Sequence, residues 1–353
     1  MGRRGRVVAV SIVAMSVVSL LGACAPGPPG TSTEGEAPGA PGPCNAERTS
    51  IVNPVDRRFS ITLLEPTGAS AAPGGGTCDD SERPLAVVAH GYLGVFDFAY
   101  AGLLNHLVSR GFVVVFPAWP IEYDPDKQYD VVDTGARLAV ETSGRVDLDR
   151  VGFVGHSYGG GMLPWLLRQA AARGWGSEAL WATALAPWFS MLLPDGPIEV
   201  PSHTRYTTVH YRDDVLVDAR IGIEVLDSLT IPRSQRLHLT TRTDQHRSPI
   251  LSADHLGPVS FELPWLGTLS TDALDLWAWR VIDATASCSL EGRWCDADLT
   301  EIGTWPDGQP FRAAIASRYP VDSGPPALQE CTFFLNPRPC RAVSAPDQER
   351  PPG

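Results

Sequence analysis

The sequence predicts an α/β fold with a mostly parallel central sheet and helices on both of its faces. Short apolar runs, typical of buried parallel strands, alternate along the chain with amphipathic segments of helical period. One of these runs leads through a glycine-rich turn, residues 155–159, directly into a helical segment. About 310 residues follow a low-complexity N-terminal stretch without a domain-sized linker. We therefore expect one domain over residues 44–345, followed by a short tail at 346–353.

The first elements are predicted from three apolar patterns. Residues 59–64 alternate apolar and polar side chains, which predicts an edge strand. Residues 85–89 and 112–116 are continuous apolar runs, which predict two buried strands. Between them, residues 98–110 place four aliphatic side chains on one helical face, and Gly111 provides a C-terminal cap. These four segments predict the first three strands of the sheet and the first helix that packs against it.

The alternation continues through the rest of the chain. A helical stripe follows the glycine-rich turn, and Pro164 within that stripe is expected to distort its second turn. The other predicted helices cover residues 131–142, 218–229 and 274–284. The other predicted strands cover residues 151–154, 180–186, 207–211 and 237–241.

The first 23 residues predict a leader peptide. Three arginines precede a short apolar segment at residues 7–21, and small residues lead directly into Cys24. This arrangement is similar to a bacterial lipobox, in which the cysteine is lipidated and becomes the mature N-terminus; the alternative is an ordinary secretory signal. Lipidation of Cys24 implies an exported lipoprotein, anchored to a membrane at the cell surface or in the periplasm. Residues 24–43, rich in Pro, Gly, Ser and Thr, predict a disordered tether.

Six further cysteines predict disulfides, because an even number in an exported chain favours pairing. Fifteen pairings are compatible with six cysteines, and proximity in the chain favours Cys44–Cys78, Cys288–Cys295 and Cys331–Cys340. The loop-rich segment after Cys288 is thus expected to be a disulfide-stapled extension. No C-x-x-C pair occurs, so zinc is not indicated, and we expect no metal or cofactor.

The charge balance bears on the class of partner. The chain has 28 Lys and Arg against 40 Asp and Glu, a formal net charge of −12 at pH 7. An acidic surface repels polyanions. We therefore expect no nucleic-acid partner.

The turn at residues 155–159 has the pattern G-x-S-x-G with Ser157 at its centre. A strand that enters a helix through such a turn lifts the serine onto a strained corner, where the flanking glycines avoid a clash. A serine so placed attacks a carbonyl carbon when a histidine and a carboxylate lie within reach. In proteins with this turn, the acid and then the histidine follow the serine along the chain.

Three aspartates follow the predicted strand 207–211. Asp218 is better explained as the N-cap of the next helix. Of the adjacent pair Asp213 and Asp214, we favour Asp214 as the acid because the apolar Val217 follows three residues later, and Asp213 remains open.

The base and the oxyanion donors come from two loops. His246 and His255 both lie beyond the strand 237–241, and we favour His255 because a Gly-Pro turn and a new ordered segment follow it. Backbone amides are expected to bind the oxyanion, one from Tyr158 after the serine and one from Tyr92 in the loop after strand 85–89.

Three stretches together resemble the α/β-hydrolase family, in its dienelactone-hydrolase-like branch. They are the elbow at 155–161, Ala-Pro-Trp ending at Trp188, and the histidine loop at 252–258. Within that branch, about residues 84–259 look similar to cutinase-like polyesterases, platelet-activating-factor acetylhydrolases and chlorophyllases. The resemblance implies a serine carboxylic-ester hydrolase, and it places Trp188 on the acyl side of the cleft. A core aromatic is the alternative role for Trp188.

The sequence departs from the polyesterases in two respects. The turn that carries Asp213 and Asp214 lacks the usual glycine, and the segment after Leu290 is longer than those enzymes need. Two other function classes stay open. One is an exported acyltransferase that uses the same three residues, and the other is a non-catalytic binding protein that keeps the fold.

Overall fold

The computed structural model describes residues 37–69, 78, 81–194, 196–263, 267–269 and 271–317, all of which fall within one compact unit. Several predictions lie outside these residues. They are the leader at 1–23, the lipidated Cys24, most of the tether, the Cys331–Cys340 pair and the tail at 346–353.

A nine-stranded sheet forms the centre of the described chain. The strands are β1 Cys44–Val52, β2 Ser60–Ala69, β3 Arg83–Ala89, β4 Val113–Pro117, β5 Val146–His156, β6 Ala179–Leu185, β7 Arg205–Tyr211, β8 Arg236–Thr241, β9 Phe261–Leu263, β10 Gly267–Leu269 and β11 Ile315–Ser317. The order in the large sheet is β1-β2-β4-β3-β5-β6-β7-β8-β11, and β9 and β10 form a separate antiparallel pair after the histidine loop.

Six neighbouring strands of this sheet, from β4 to β8, run parallel. The antiparallel strands β1, β2 and β11 lie at the two edges. The carboxyl ends of parallel strands meet at one edge of a sheet, where open α/β sheets bind their ligands. The loops after β3, β5, β7 and β8 therefore converge on that edge.

Five helices of the described chain cover both faces of the sheet. They are α1 Ala101–Ser109, α2 Pro125–Ser143, α3 Tyr158–Ala172, α4 Ala219–Ser228 and α5 Ala273–Glu291. Apolar side chains of α1 and α5 share one core with one face of the sheet. Those of α2, α3 and α4 share a second core with the opposite face. The predicted mostly parallel sheet with helices on both faces is thus confirmed.

Capping residues explain where the helices begin. We predicted the second helix from residue 131, but α2 begins at Pro125, because the Asp124 side chain accepts a hydrogen bond from the Lys127 amide and proline suits the first turn. At α5, Asp272 and Asp275 form a reciprocal capping box. Helix α3 runs unbroken through Pro164.

The N-terminal end of the described chain packs against the helices. The Gly39 amide donates to the carboxylate of Asp283 in α5 at 2.8 Å, and the Gly42 amide donates to the hydroxyl of Ser109 in α1 at 3.0 Å. Residues 37–43, which we predicted as part of a disordered tether, are therefore held on the domain by backbone hydrogen bonds.

Two of the three predicted disulfides fall within the described residues, and both are present. Cys44–Cys78 links the start of β1 to a cysteine that precedes β3 in the chain, and Cys288–Cys295 closes a loop at the end of α5. The stapled C-terminal segment predicted from the cysteine spacing is confirmed for this second pair. In the part of the chain that the structure describes, no helix has both the length and the apolar content to cross a membrane.

Candidate active site

Ser157 alone forms the turn between β5, which ends at His156, and α3, which begins at Tyr158. Its backbone has φ 53° and ψ −119°, a conformation that costs free energy for a residue with a side chain. The turn is held by the Ser157 amide, which donates to the carbonyl of Leu185 at 2.9 Å. Ser157 is thus presented on the strained strand-to-helix corner that its motif predicts.

Gly155 and Gly159 must lack a side chain, because backbone atoms of other residues lie very close to them. A Cβ atom on Gly155 would lie 2.4 Å from the carbonyl oxygen of Gly159, and one on Gly159 would lie 2.2 Å from that of Ala89. Both distances are far below van der Waals contact. A side chain at Gly155 would push α3 away from β5, and one at Gly159 would push α3 away from the end of β3. Either change would displace Ser157.

Three side chains form one line of hydrogen bonds at the carboxyl edge of the sheet. The Ser157 hydroxyl lies 2.9 Å from Nε2 of His255, and Nδ1 of His255 lies 2.7 Å from Oδ2 of Asp214. Ser157 follows β5, Asp214 lies beyond β7 and His255 beyond β8. Convergence of parallel strands therefore brings together residues that are 57 and 41 positions apart in the chain.

The structure distinguishes among the three candidate aspartates. Asp214 contacts the imidazole of His255, whereas the neighbouring Asp213 is exposed, with its amide bound to the carbonyl of Ala253. The Asp218 side chain caps α4 through the amide of Arg220. His246, the alternative histidine, is on the surface with its Nε2 2.9 Å from Asp307.

The environment of Asp214 favours its charged form. Burial alone raises the pKa of this carboxyl group, but the hydrogen bond with His255 and those from the amides of Val217 and Leu216 outweigh it and lower the pKa below its ordinary value. An ionised Asp214 holds the Nδ1 proton of His255, which leaves the Nε2 lone pair directed at Ser157.

A cavity of about 400 Å³ opens at Ser157. Its described lining contains no Lys, Arg, Asp or Glu and includes the predicted oxyanion residues Tyr92 and Tyr158. Trp188, predicted to line the cleft, is half-buried in the cavity wall and also packs against Phe189, so it serves as both lining and core. Other apolar members of the lining are Leu93, Phe96, Phe98, Leu216, Leu256 and Val259.

The amides next to the predicted oxyanion donors are already engaged. The Gly159 amide donates to the carbonyl of His90 at 3.1 Å, and the Gly91 amide donates to the Tyr100 hydroxyl at 2.8 Å. The Tyr158 amide lies in the first turn of α3, where backbone N–H groups have no acceptor within the helix. This N-terminal turn carries partial positive charge toward the serine, which suits an oxyanion.

Two buried histidines border the site. His90 stacks on Trp119, its Nε2 accepts from the Trp119 amide, and burial lowers its pKa to about 3. His156 contacts the hydroxyl of Tyr100 and the carbonyl of His255, each at 2.8 Å. Sequence reasoning does not find Tyr100, because no local pattern in the sequence indicates its contact with His156.

In the described part of the chain, no cluster of three or more His, Cys, Asp or Glu side chains could hold a metal ion. The chain matches no protein-family model and no curated protein.

Proposed function

We propose that this protein is a serine carboxylic-ester hydrolase of the α/β-hydrolase type. The observation that carries the proposal is the hydrogen-bonded line from Asp214 through His255 to Ser157, which ends in an apolar cavity. Two further features support it, namely the serine on a strand-to-helix turn and the chain order serine, aspartate, histidine.

In the proposed mechanism, the Ser157 hydroxyl attacks the ester carbonyl carbon while Nε2 of His255 takes its proton. Asp214 stabilises the imidazolium that forms, and the amides of Tyr92 and Tyr158 bind the oxyanion. His255 then protonates the leaving alcohol as the tetrahedral intermediate collapses to an acyl-enzyme. Water activated by His255 releases the carboxylic acid and restores Ser157.

The lining of the cavity favours uncharged, apolar esters. The described lining has no Lys or Arg to neutralise a carboxylate or phosphate on the substrate, so burial of such a group in the cavity would be costly. Leu93, Phe96 and Leu256 line the cavity and are each 60% exposed, which makes its mouth apolar as well. A bulky aliphatic or aromatic ester group fits these surroundings.

We further propose that the enzyme acts outside the cytoplasm, on a lipid anchor at Cys24. The two disulfides at Cys44–Cys78 and Cys288–Cys295 support an oxidising compartment. Membrane attachment through Cys24 rests on the sequence of the leader alone.

Hydrolysis of p-nitrophenyl esters by the purified protein tests the proposal. Ser157→Ala should abolish turnover, whereas Ser190→Ala, a change at another buried serine that does not line the cavity, should leave it close to wild type. An active Ser157→Ala variant would refute the mechanism. Added alcohol distinguishes the acyltransferase alternative, since a hydrolase releases mainly the free acid and a transferase mainly the new ester.

A further inference from the structure

A second line of buried hydrogen bonds runs behind the proposed catalytic residues. The Gly91 amide donates to the Tyr100 hydroxyl, which lies 2.8 Å from Nδ1 of His156. The other ring nitrogen, Nε2 of His156, lies 2.8 Å from the carbonyl oxygen of His255. Tyr100 and His156 are 1% and 4% exposed, so water does not compete for these contacts.

The protons on this line have one consistent arrangement. The carbonyl of His255 can only accept, so Nε2 of His156 carries the proton and donates it. A neutral imidazole then has a lone pair at Nδ1, which accepts from the Tyr100 hydroxyl. The Tyr100 oxygen in turn accepts from the Gly91 amide. Every donor on the line meets an acceptor, and no member carries charge.

We propose that Tyr100 and His156 are positioning residues. They fix the oxyanion loop, residues 90–94 after β3, relative to the base loop, residues 252–258, which carries His255. The two loops lie on either side of Ser157. This inference rests on the proposed hydrolase function. The line begins at Gly91, adjacent to the predicted oxyanion donor Tyr92, and ends at the backbone of His255. The line therefore joins the oxyanion donor to the base, and the positions of these two groups relative to each other must stay fixed while charge develops in the transition state.

The packing around this line leaves little room for adjustment. A Cβ atom on Gly91 would lie 3.0 Å from Nδ1 of His156, and one on Gly94 would lie 2.9 Å from the Tyr100 hydroxyl. The oxyanion loop thus lies directly on the two positioning side chains. Loss of either polar contact would remove a restraint on the position of this loop.

A neutral His156 also suits the charge that forms on His255. The two rings lie 5.0 Å apart between centroids, with Asp214 and His90 as the other titratable groups nearby. Burial and the proximity of His255 lower the pKa of His156 to about 3. A charged His156 would oppose the imidazolium of His255, whereas the neutral ring does not.

Tyr100→Phe tests the proposal, because it removes only the hydroxyl that joins Gly91 to His156. We expect kcat on a p-nitrophenyl ester to fall by about 10²-fold, the cost of a displacement of about 1 Å at the reacting groups, with KM unchanged. Tyr206→Phe is the matched control, since Tyr206 is also 1% exposed and its hydroxyl has no hydrogen-bond partner among the described residues. A Tyr100→Phe variant with the kcat of the control would overturn the proposal.

A double-mutant cycle tests whether the two residues act as one line. In His156→Gln the amide nitrogen can still donate to the carbonyl of His255, but the acceptor for Tyr100 is lost. Both changes interrupt the same line, so the double variant should lose less kcat than the product of the two single losses. A loss equal to that product would contradict coupling through the line.

Two readouts keep the tests independent of folding and of the proposed function. Nitrogen NMR of the wild-type protein should show the His156 proton on Nε2 and no titration from about pH 5 to 8. A proton on Nδ1 would overturn the inference even if Tyr100→Phe fails to fold. Labelling of Ser157 by a fluorophosphonate separates the hydrolase function from the positioning role. An unlabelled wild-type protein would refute the hydrolase function. Equal labelling rates in the wild type and in Tyr100→Phe would refute only the positioning role.

Discussion

Replacement of Asp214 by asparagine should impose the wrong proton arrangement on His255. Oδ1 of Asp214 accepts from the amides of Leu216 and Val217 at 2.7 and 2.9 Å. Asparagine can keep both contacts only with its carbonyl oxygen at that position. Its NH₂ group then faces Nδ1 of His255 across the present 2.7 Å contact and donates to it. The imidazole proton moves to Nε2, which can no longer take the proton of Ser157.

The expected loss in kcat is large, because the imidazole loses both its working tautomer and its counter-charge. A change of this kind in a serine triad costs about 10⁴-fold in kcat, which corresponds to about 5.4 kcal/mol in the activation barrier. Initial rates on a p-nitrophenyl ester at pH 7 to 8 measure it. Asp213→Asn is the matched control, since Asp213 is exposed one position earlier and should keep near wild-type activity. Equal losses in the two variants would refute the assignment of Asp214.

Two other predictions concern the cavity wall and the pH dependence of stability. Trp188→Ala should lower kcat/KM for bulky apolar esters by about tenfold, because part of a buried aromatic contact with the ester is lost, and it should leave kcat/KM for acetate esters unchanged. An equal loss for both kinds of ester in a chain-length series would contradict this prediction. Burial raises the pKa of Asp275 to about 7 from an ordinary value of 3.8, so the folded state binds an extra proton between these values. The free energy of unfolding should therefore fall as the pH rises from 3.8 to about 7. Asp275→Asn can still accept from the Asp272 amide and should make that fall smaller, while burial also raises the pKa of Asp272 and leaves a remainder. Urea denaturation at pH 5 and 8 checks this, and an unchanged pH slope would show the reasoning to be wrong.

The parallel part of the sheet could be predicted because its strands are buried on both sides. The cores of β3 and β4 are continuous apolar runs, and such runs have few other interpretations when helices separate them. The edge strand β1 was missed. Strand β1 pairs with β2 over its whole length, although most of its side chains are exposed. Its place in the sheet therefore depends on backbone hydrogen bonds, which produce no apolar pattern in the sequence.

Some residues of the candidate site could also be predicted from the sequence, whereas others could not. Ser157 and His255 could be named from motifs that each lie within a few residues, because the backbone turn itself requires glycines at fixed spacing. The choice between Asp213 and Asp214 needed the structure to decide which side chain faces the imidazole. Tyr100 could not be found from sequence, since its role depends on the contact with His156, a residue 56 positions away, across the layers of the fold.

The central claim is that Ser157 is an activated nucleophile. The most direct measurement is mass spectrometry of peptides from the full-length protein after reaction with a fluorophosphonate. We expect one covalent adduct, on the peptide that contains Ser157, with labelling lost in His255→Ala and in Ser157→Ala. An unmodified Ser157 in the folded wild-type protein, or an adduct on another residue that persists in Ser157→Ala, would contradict it.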